Sequence, residues 1–202
     1  MPAVNRGATL RLHGGALRGR LLRVPPEARP TEGRVREALG SIWCDRLPGA
    51  QVLDLFAGSG AVAFEALSRG AAFALLVDSS EGAIAAQRAN ARDLGVAERC
   101  RVQRLDLRLD PAAAIARIAG SFDLIFVDPP YAFADWDRLM ALVSGLLAPS
   151  GEAAIEHSRR VDLRETYGEL GSSRRRDYGE SSLSFFVRCR PQPAVEGAGP
   201  TG

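Results

Sequence analysis

Apolar and polar positions follow two rhythms along this chain, and the change between them falls near residue 50. Residues 8–24 (ATLRLHGGALRGRLLRV) alternate apolar with basic positions around Gly14-Gly15, the pattern of a short hairpin. Pro25, Pro26 and Pro30 follow as a stiff connector. Thr31 is a good N-cap, Glu32 suits a first turn, and Val35, Leu39, Ile42 and Trp43 recur at helical spacing. A helix is therefore predicted from Thr31 to about Arg46, ended by Pro48-Gly49. From there apolar strand-like runs alternate with amphipathic helical ones. Strands are predicted at Gln51–Phe56, Ala72–Asp78, Arg101–Leu107, Phe122–Val127 and Glu152–Glu156. Helices are predicted at Ser59–Arg69, Glu81–Leu94, Pro111–Ala119 and Trp136–Leu147. Continuous apolar strands joined by helices imply an α/β fold, with a parallel sheet covered on both faces. Arg174–Arg190 reads as a hairpin turning at Tyr178–Ser182, able to close one sheet edge with antiparallel strands.

Composition narrows the class. The chain has 202 residues, enough for one domain with a sizeable core and no need of disulfides or metal to fold. Three scattered cysteines and two histidines form no disulfide framework and no His-rich metal centre, so no metal is expected. No apolar stretch is long enough for a membrane span and no signal-like block opens the chain, so a cytoplasmic protein is expected. The tail PQPAVEGAGPTG is Pro/Gly/Ala-rich and is expected to be disordered. The organisation expected is thus a basic hairpin and linker over 1–30, a main domain over 31–190 and a tail over 191–202.

Charge adds a second signal. Net charge is only +2, yet residues 1–48 hold nine Arg against four acids, whereas residues 49–156 hold nine Arg against fourteen. A basic segment on a mildly acidic body suggests a local footprint for a polyanion. Lys is absent from the chain, so part of this Arg content reflects overall compositional bias.

The run VLDLFAGSGAVAFEAL places Gly58 and Gly60 between a strand and a helix, where glycine permits positive φ and close approach to a ligand. With Ala63 and Asp78 it formally satisfies the dinucleotide fingerprint. Asp54, just before the loop, opposes a pyrophosphate but suits a ligand carrying an ammonium group, such as the methionine part of S-adenosylmethionine. Asp78 would then accept from ribose hydroxyls, and Asp106, at the end of the next strand, from an adenine amino group. Open parallel sheets bind ligands at the carboxyl ends of their strands, which is where these acids fall.

FDLIFVDPPYAF is the most informative stretch. An apolar strand ends in Asp128, followed by Pro129, Pro130 and Tyr131. Prolines remove backbone donors and leave stiffly held carbonyls beside a carboxylate. Such a site is acceptor-rich and fits an amino group. An exocyclic base amine is a poor nucleophile because its lone pair is delocalised into the ring. Hydrogen bonds to Asp128 and the Pro129 carbonyl favour a more tetrahedral nitrogen, and Tyr131 offers a stacking face. An oxidoreductase gives this motif no role.

On these residues the chain resembles the bacterial 16S ribosomal RNA guanine-N2 methyltransferases of the RsmD type. The resemblance covers roughly Leu10–Arg188, through GGALRGRLL, RPTEGRVREAL, LDLFAGSGAVAFEALSRGA, FDLIFVDPPY and RRRDYGESSLSFF. It implies a class I, Rossmann-like methyltransferase fold, with a mainly parallel seven-stranded sheet and an antiparallel edge. It implies S-adenosylmethionine as methyl donor and a guanine 2-amino group in 16S ribosomal RNA as acceptor, within an assembled or late-assembling small subunit. Asp54, Phe56, Gly58, Gly60, Asp78 and Asp106 match the cofactor side, and Asp128, Pro129, Pro130 and Tyr131 the catalytic motif. Thr31 and Arg34 match a helix that closes over the methionine end. Position 40 is Gly where the family usually has a bulky aromatic, and position 78 is Asp where Glu is common.

Arg11, Arg18, Arg20, Arg23 and Arg36 are the expected RNA contacts, because Arg binds phosphate bidentately and stacks on bases. His13 and His157 read as structural, and a monomer is expected. The Asp-Pro-Pro-Tyr motif by itself does not name the base, so an amino-methyltransferase acting on DNA adenine or another amine stays open, as does a binding protein that keeps the fold without catalysis.

Overall fold

The computed structural model describes residues 8–25, 33–108 and 110–189; the predicted tail, the connector prolines Pro26 and Pro30, and Thr31 lie outside the described residues. The chain runs β1 (Thr9–Arg11), β2 (Leu21–Arg23), α1 (Gly33–Ile42), β3 (Gln51–Leu55), α2 (Ala61–Ser68), β4 (Phe73–Asp78), α3 (Glu81–Leu94) and β5 (Cys100–Arg104). It continues with α4 (Pro111–Ile118), β6 (Phe122–Val127), α5 (Trp136–Leu146), β7 (Leu147–Ser158), β8 (Thr166–Tyr167), β9 (Leu170–Tyr178) and β10 (Ser181–Arg188). Two helices begin where short polar side chains cap them: Ser80 Oγ accepts from Ala83 N–H at α3, and the Asp110 carboxylate from Ala112 and Ala113, with Pro111 opening α4.

The main sheet has eight strands among the described residues, in the order β5-β4-β3-β6-β7-β10-β9-β8. The first five are parallel and the last three close the edge antiparallel. Successive chain segments step outward from β3 through β4 to β5, then the chain returns to lay β6 on the other side of β3. That reversal opens a crevice at the carboxyl ends of β3 and β6, where open α/β sheets receive ligands. Leu53, Leu55, Ile125 and Val127 face α4 and α5, while Val52, Leu76, Leu124 and Phe126 face α1, α2 and α3.

Two expectations change. The sheet gains the two-residue strand β8, which is too short to leave a periodic signal. The N-terminal hairpin has strands of only three residues each, and the tight Gly14-Gly15 turn does not close it. Instead the intervening loop docks on the end of α2, with Ala16 N–H donating to the Ser68 carbonyl at 2.7 Å and Leu17 N–H to Ser68 Oγ at 2.8 Å. Leu12 and Leu22 enter the same apolar cluster as Trp43, Phe64 and Leu67, so hairpin and body share a core. No described helix is long and apolar enough to cross a membrane.

A buried carboxylate fastens the junction. Glu65 is 3% exposed, accepts His13 N–H at 2.9 Å and receives Arg69 at 3.1 and 2.9 Å. Arg36, also buried, reaches the Arg11 carbonyl at 3.4 Å; burial pushes its guanidinium below the ordinary value and Glu65 pulls it back up. Removing the anion strands buried positive charge. Glu65→Ala should lower unfolding free energy by about 3–5 kcal/mol and speed proteolysis within residues 12–20, with Glu65→Gln intermediate. Denaturant titration and limited proteolysis check this.

Candidate active site

The loop after β3 is shaped by backbone that only small residues tolerate well. Gly58 and Gly60 sit at φ 52° and 78°, and a Cβ on Gly60 would collide with Leu76 and the Phe64 ring. Phe56, a non-glycine at φ 59°, is also in the left-handed region. Its ring meets Phe133 edge-on at 6.0 Å, and Phe133 meets Trp136 at 5.2 Å, so an aromatic chain joins this loop to the segment after β6.

Asp78 organises the loop from the neighbouring strand. Its Oδ2 accepts Gly58 N–H at 2.8 Å and its Oδ1 accepts Ser80 N–H at 2.9 Å, which leaves further lone pairs for a ligand hydroxyl. Two buried residues of α3, invisible to motif reading, complete the support. Gln87 donates to the Gly58 carbonyl at 2.9 Å. Asn90 donates to the Ser59 carbonyl at 3.1 Å and exchanges hydrogen bonds with the Arg23 backbone at 2.8 and 3.0 Å. The one signal in the sequence is two amides three positions apart in an alanine-rich helix.

Asp128 extends the β6 ladder, its N–H directed to the Leu55 carbonyl at 3.4 Å. Pro129, Pro130 and Tyr131 then turn outward, closed by Phe133 N–H on the Pro130 carbonyl at 2.8 Å. The Tyr131 ring is 67% exposed, open to stack on an incoming planar group. Between this turn and the glycine loop lies a cavity of about 550 Å³ whose walls include Phe56, Gly58, Asp78, Ser80, Asp128 and Tyr131. That volume is within the range of cofactor pockets. A loop with glycine at its closest approach, a carboxylate ready for hydroxyls and acceptors at the far wall suit a nucleoside carrying a reactive substituent.

Other predicted site residues are placed differently. Asp54 is 2% exposed, lies beneath the loop and accepts Ala63 N–H at 3.1 Å, acting as a cap for α2, whose preceding Gly60 has no side chain to do so. Burial, with lesser repulsion from Asp128 and Asp78, pushes its carboxyl up to about 8 against the pull of the Ala63 hydrogen bond. Asp106 is held in the charged form, at about 2, by its hydrogen bonds to Arg108, and is not among the residues that form the cavity wall. Arg34 is exposed on α1. Arg11, Arg18, Arg20 and Arg23 are exposed on the hairpin, with Arg23 paired to Asp93 at 2.9 Å, whereas Arg36 points inward to the Glu65 junction. His13 binds that junction through its backbone, and His157 is buried against Ser184 and Trp136.

The raised Asp54 carboxyl has a stability consequence. The folded state holds a proton that the unfolded state releases above pH 3.8, so stability falls as pH rises from about 4 to 8. Asp54→Asn keeps the acceptor and removes that penalty. Without ligand, the variant should exceed the parent by about 1–4 kcal/mol at pH 7.5 and by little at pH 4, measured by denaturant unfolding.

Residues 10–187 match the family described as Conserved hypothetical protein 95. The chain is 34% identical over 183 residues to "Putative rRNA methyltransferase YlbH" of Bacillus subtilis, spanning 89% of this chain and 99% of that protein. It is 39% identical over 132 residues to "Ribosomal RNA small subunit methyltransferase D" of Escherichia coli, spanning 60% of each. The solved "Putative methyltransferase yhhF" from Escherichia coli superposes with a TM-score of 0.77 at 31% identity, over 90% of this chain and 98% of that one. Agreement of this extent, on a sheet whose reversal brings the glycine loop and the Asp-Pro-Pro-Tyr turn together, makes the chain a member of the Conserved hypothetical protein 95 family, with the class I fold of the RsmD-type methyltransferases.

Proposed function

We propose that this protein is an S-adenosylmethionine-dependent ribosomal RNA methyltransferase that modifies the 2-amino group of a guanine in 16S RNA, within an assembled or late-assembling small subunit. The observation that carries the reading is the single cavity shared by Gly58 and Asp78 on one wall and Asp128 and Tyr131 on the other. S-adenosylmethionine, when bound, supplies a methyl group on a positively charged sulfur, which leaves as a neutral thioether. Asp78 would hold the ribose hydroxyls, and the Gly58 backbone would lie close against the ligand. Asp128 and the Pro129 carbonyl accept the two amino hydrogens and draw the nitrogen lone pair out of conjugation, toward the methyl carbon. Positive charge then develops on nitrogen, and the Asp128 carboxylate, already hydrogen-bonded to that N–H, stabilises it and receives the proton. Tyr131 holds the base plane so that the nitrogen meets the carbon in line.

The RNA side of the reading rests on the exposed arginines of the hairpin, whose outgoing strand leads to Pro25 at the cavity wall. A ribosomal substrate suits the cytoplasm.

Labelled methyl transfer to unmethylated small subunits, naked ribosomal RNA and duplex DNA tests the proposal. Label in a small-subunit guanine, mapped by mass spectrometry, is expected; label only in DNA or on adenine overturns it. Asp128→Ala should lower kcat at least about 100-fold, with S-adenosylmethionine affinity changed less than about threefold. Replacing Arg18 and Arg20 together by Ala should raise KM for the RNA about tenfold and flatten its salt dependence by roughly two counterions, leaving single-turnover methylation at saturating RNA near the parent's.

A further inference from the structure

Next to the turn after β6 lies a second, smaller cavity of about 30 Å³, bordered by Asp128 and Tyr131 on one side and by Trp136, Glu156, His157 and Ser181 on the other. It shares Asp128 and Tyr131 with the larger cavity, so one short loop separates two spaces. The smaller one has room for about one water, and so for the edge of a planar ring rather than the ring itself. The exposed Tyr131 face above it is free to take the rest.

The sheet register determines which groups meet that edge. β6 and β7 are parallel, and their last bonded pair is Val127 with Ile155. One step further stand Asp128 and Glu156, side by side on adjacent strands and, by the alternation of strands, on the same face. Glu156 is 7% exposed, unusual for a glutamate at a cavity wall. His157 adds no competing charge. Its Nδ1 lies 2.9 Å from the Ser158 carbonyl, so Nδ1 carries the proton, and Nε2 accepts from Ser184 Oγ at 2.8 Å. Burial lowers its pKa and keeps it neutral. The cavity therefore offers two carboxylates in adjacent register.

Among the four RNA bases, only guanine carries two neighbouring donor groups, N1–H and the 2-amino group, on its pairing edge. Adenine and cytosine place a lone pair next to their amine, and uracil places its lone N–H between two carbonyls. Two adjacent carboxylates match the guanine pattern and repel the others. We propose that Glu156 is the specificity-determining residue, accepting guanine N1–H while Asp128 and the Pro129 carbonyl hold the 2-amino group; this rests on the guanine-methyltransferase reading above. A base whose N1 has no hydrogen turns a lone pair toward the Glu156 carboxylate, and the amine is driven away from the methyl carbon.

The test compares small-subunit RNA fragments that carry guanine or 2,6-diaminopurine at the mapped target. Diaminopurine keeps the 2-amino group but has an acceptor at N1. The wild-type protein should favour guanine in kcat/KM by at least about tenfold. In Glu156→Gln the side-chain amide can donate to the N1 lone pair, so the ratio should narrow at least about fivefold, with S-adenosylmethionine affinity unchanged. A merely structural role would lower both rates together and leave the ratio alone, which overturns the proposal. A wild-type preference below about twofold overturns it without any variant, whatever the variant's folding. Failure of the wild type to label guanine at all overturns the underlying reading too, and is told apart from the other two results by the absence of any product.

Discussion

The reversal of strand order between β3 and β6 is the constraint from which the site follows. Parallel strands need crossovers, and each crossover here carries a helix that covers one face of the sheet. The first half of the chain builds outward from β3 in one direction and the second half in the other, so the loops leaving β3 and β6 diverge toward opposite faces. The gap they leave cannot be closed by either half. It is lined on one side by backbone that glycine brings close, and on the other by a proline turn that shows acceptors and few donors. The two walls face each other because the two strands are immediate neighbours, with Asp54 opposite Phe126 and Leu55 opposite Val127.

Several buried polar groups serve this gap rather than the core as a whole. Asp54 sits below the loop as a cap, and its burial, with lesser repulsion from Asp128 and Asp78, makes its charge costly. Gln87 and Asn90 anchor the loop from α3, and Asn90 also reaches the hairpin. Glu65 then fixes the hairpin to α2 from the other end. The basic hairpin is therefore not a loose appendage. Its place beside the body is set by the same helix, α3, that holds the glycine loop.

The antiparallel edge has a comparable role. Glu152, buried midway along β7, accepts the Trp43 indole N–H at 2.7 Å and Arg174 at 2.8 Å, which ties the turn after α1 to β7 and β9. β10 then pairs with β7 as far as Ser158, stiffening the stretch that carries Glu156 and His157. The same strand that completes the sheet thus positions the groups beside the Asp-Pro-Pro-Tyr turn.

Much of this was legible in the residues. The alternating strands and helices, the glycine loop, the Asp-Pro-Pro-Tyr turn and the family all follow from local pattern, because period, turn chemistry and motif spacing are properties of neighbouring residues. What local pattern does not hold is the partner of a side chain across the fold. Arg36 looks like its exposed neighbours on the chain yet faces inward, since only the packing of α1 on α2 brings Glu65 near it. Asp54 and Asp78 both read as acids near the ends of adjacent strands, yet Asp54 pairs with Leu76, two residues short of Asp78, so one is sealed under the loop and the other lines the cavity. Gln87, Asn90 and Glu156 carry no motif, and β8 is too short to show a period. Sequence alone determined the elements and their chemistry; tertiary structure decided which charges are buried and what they face, because burial and pairing depend on segments tens of residues apart packing together.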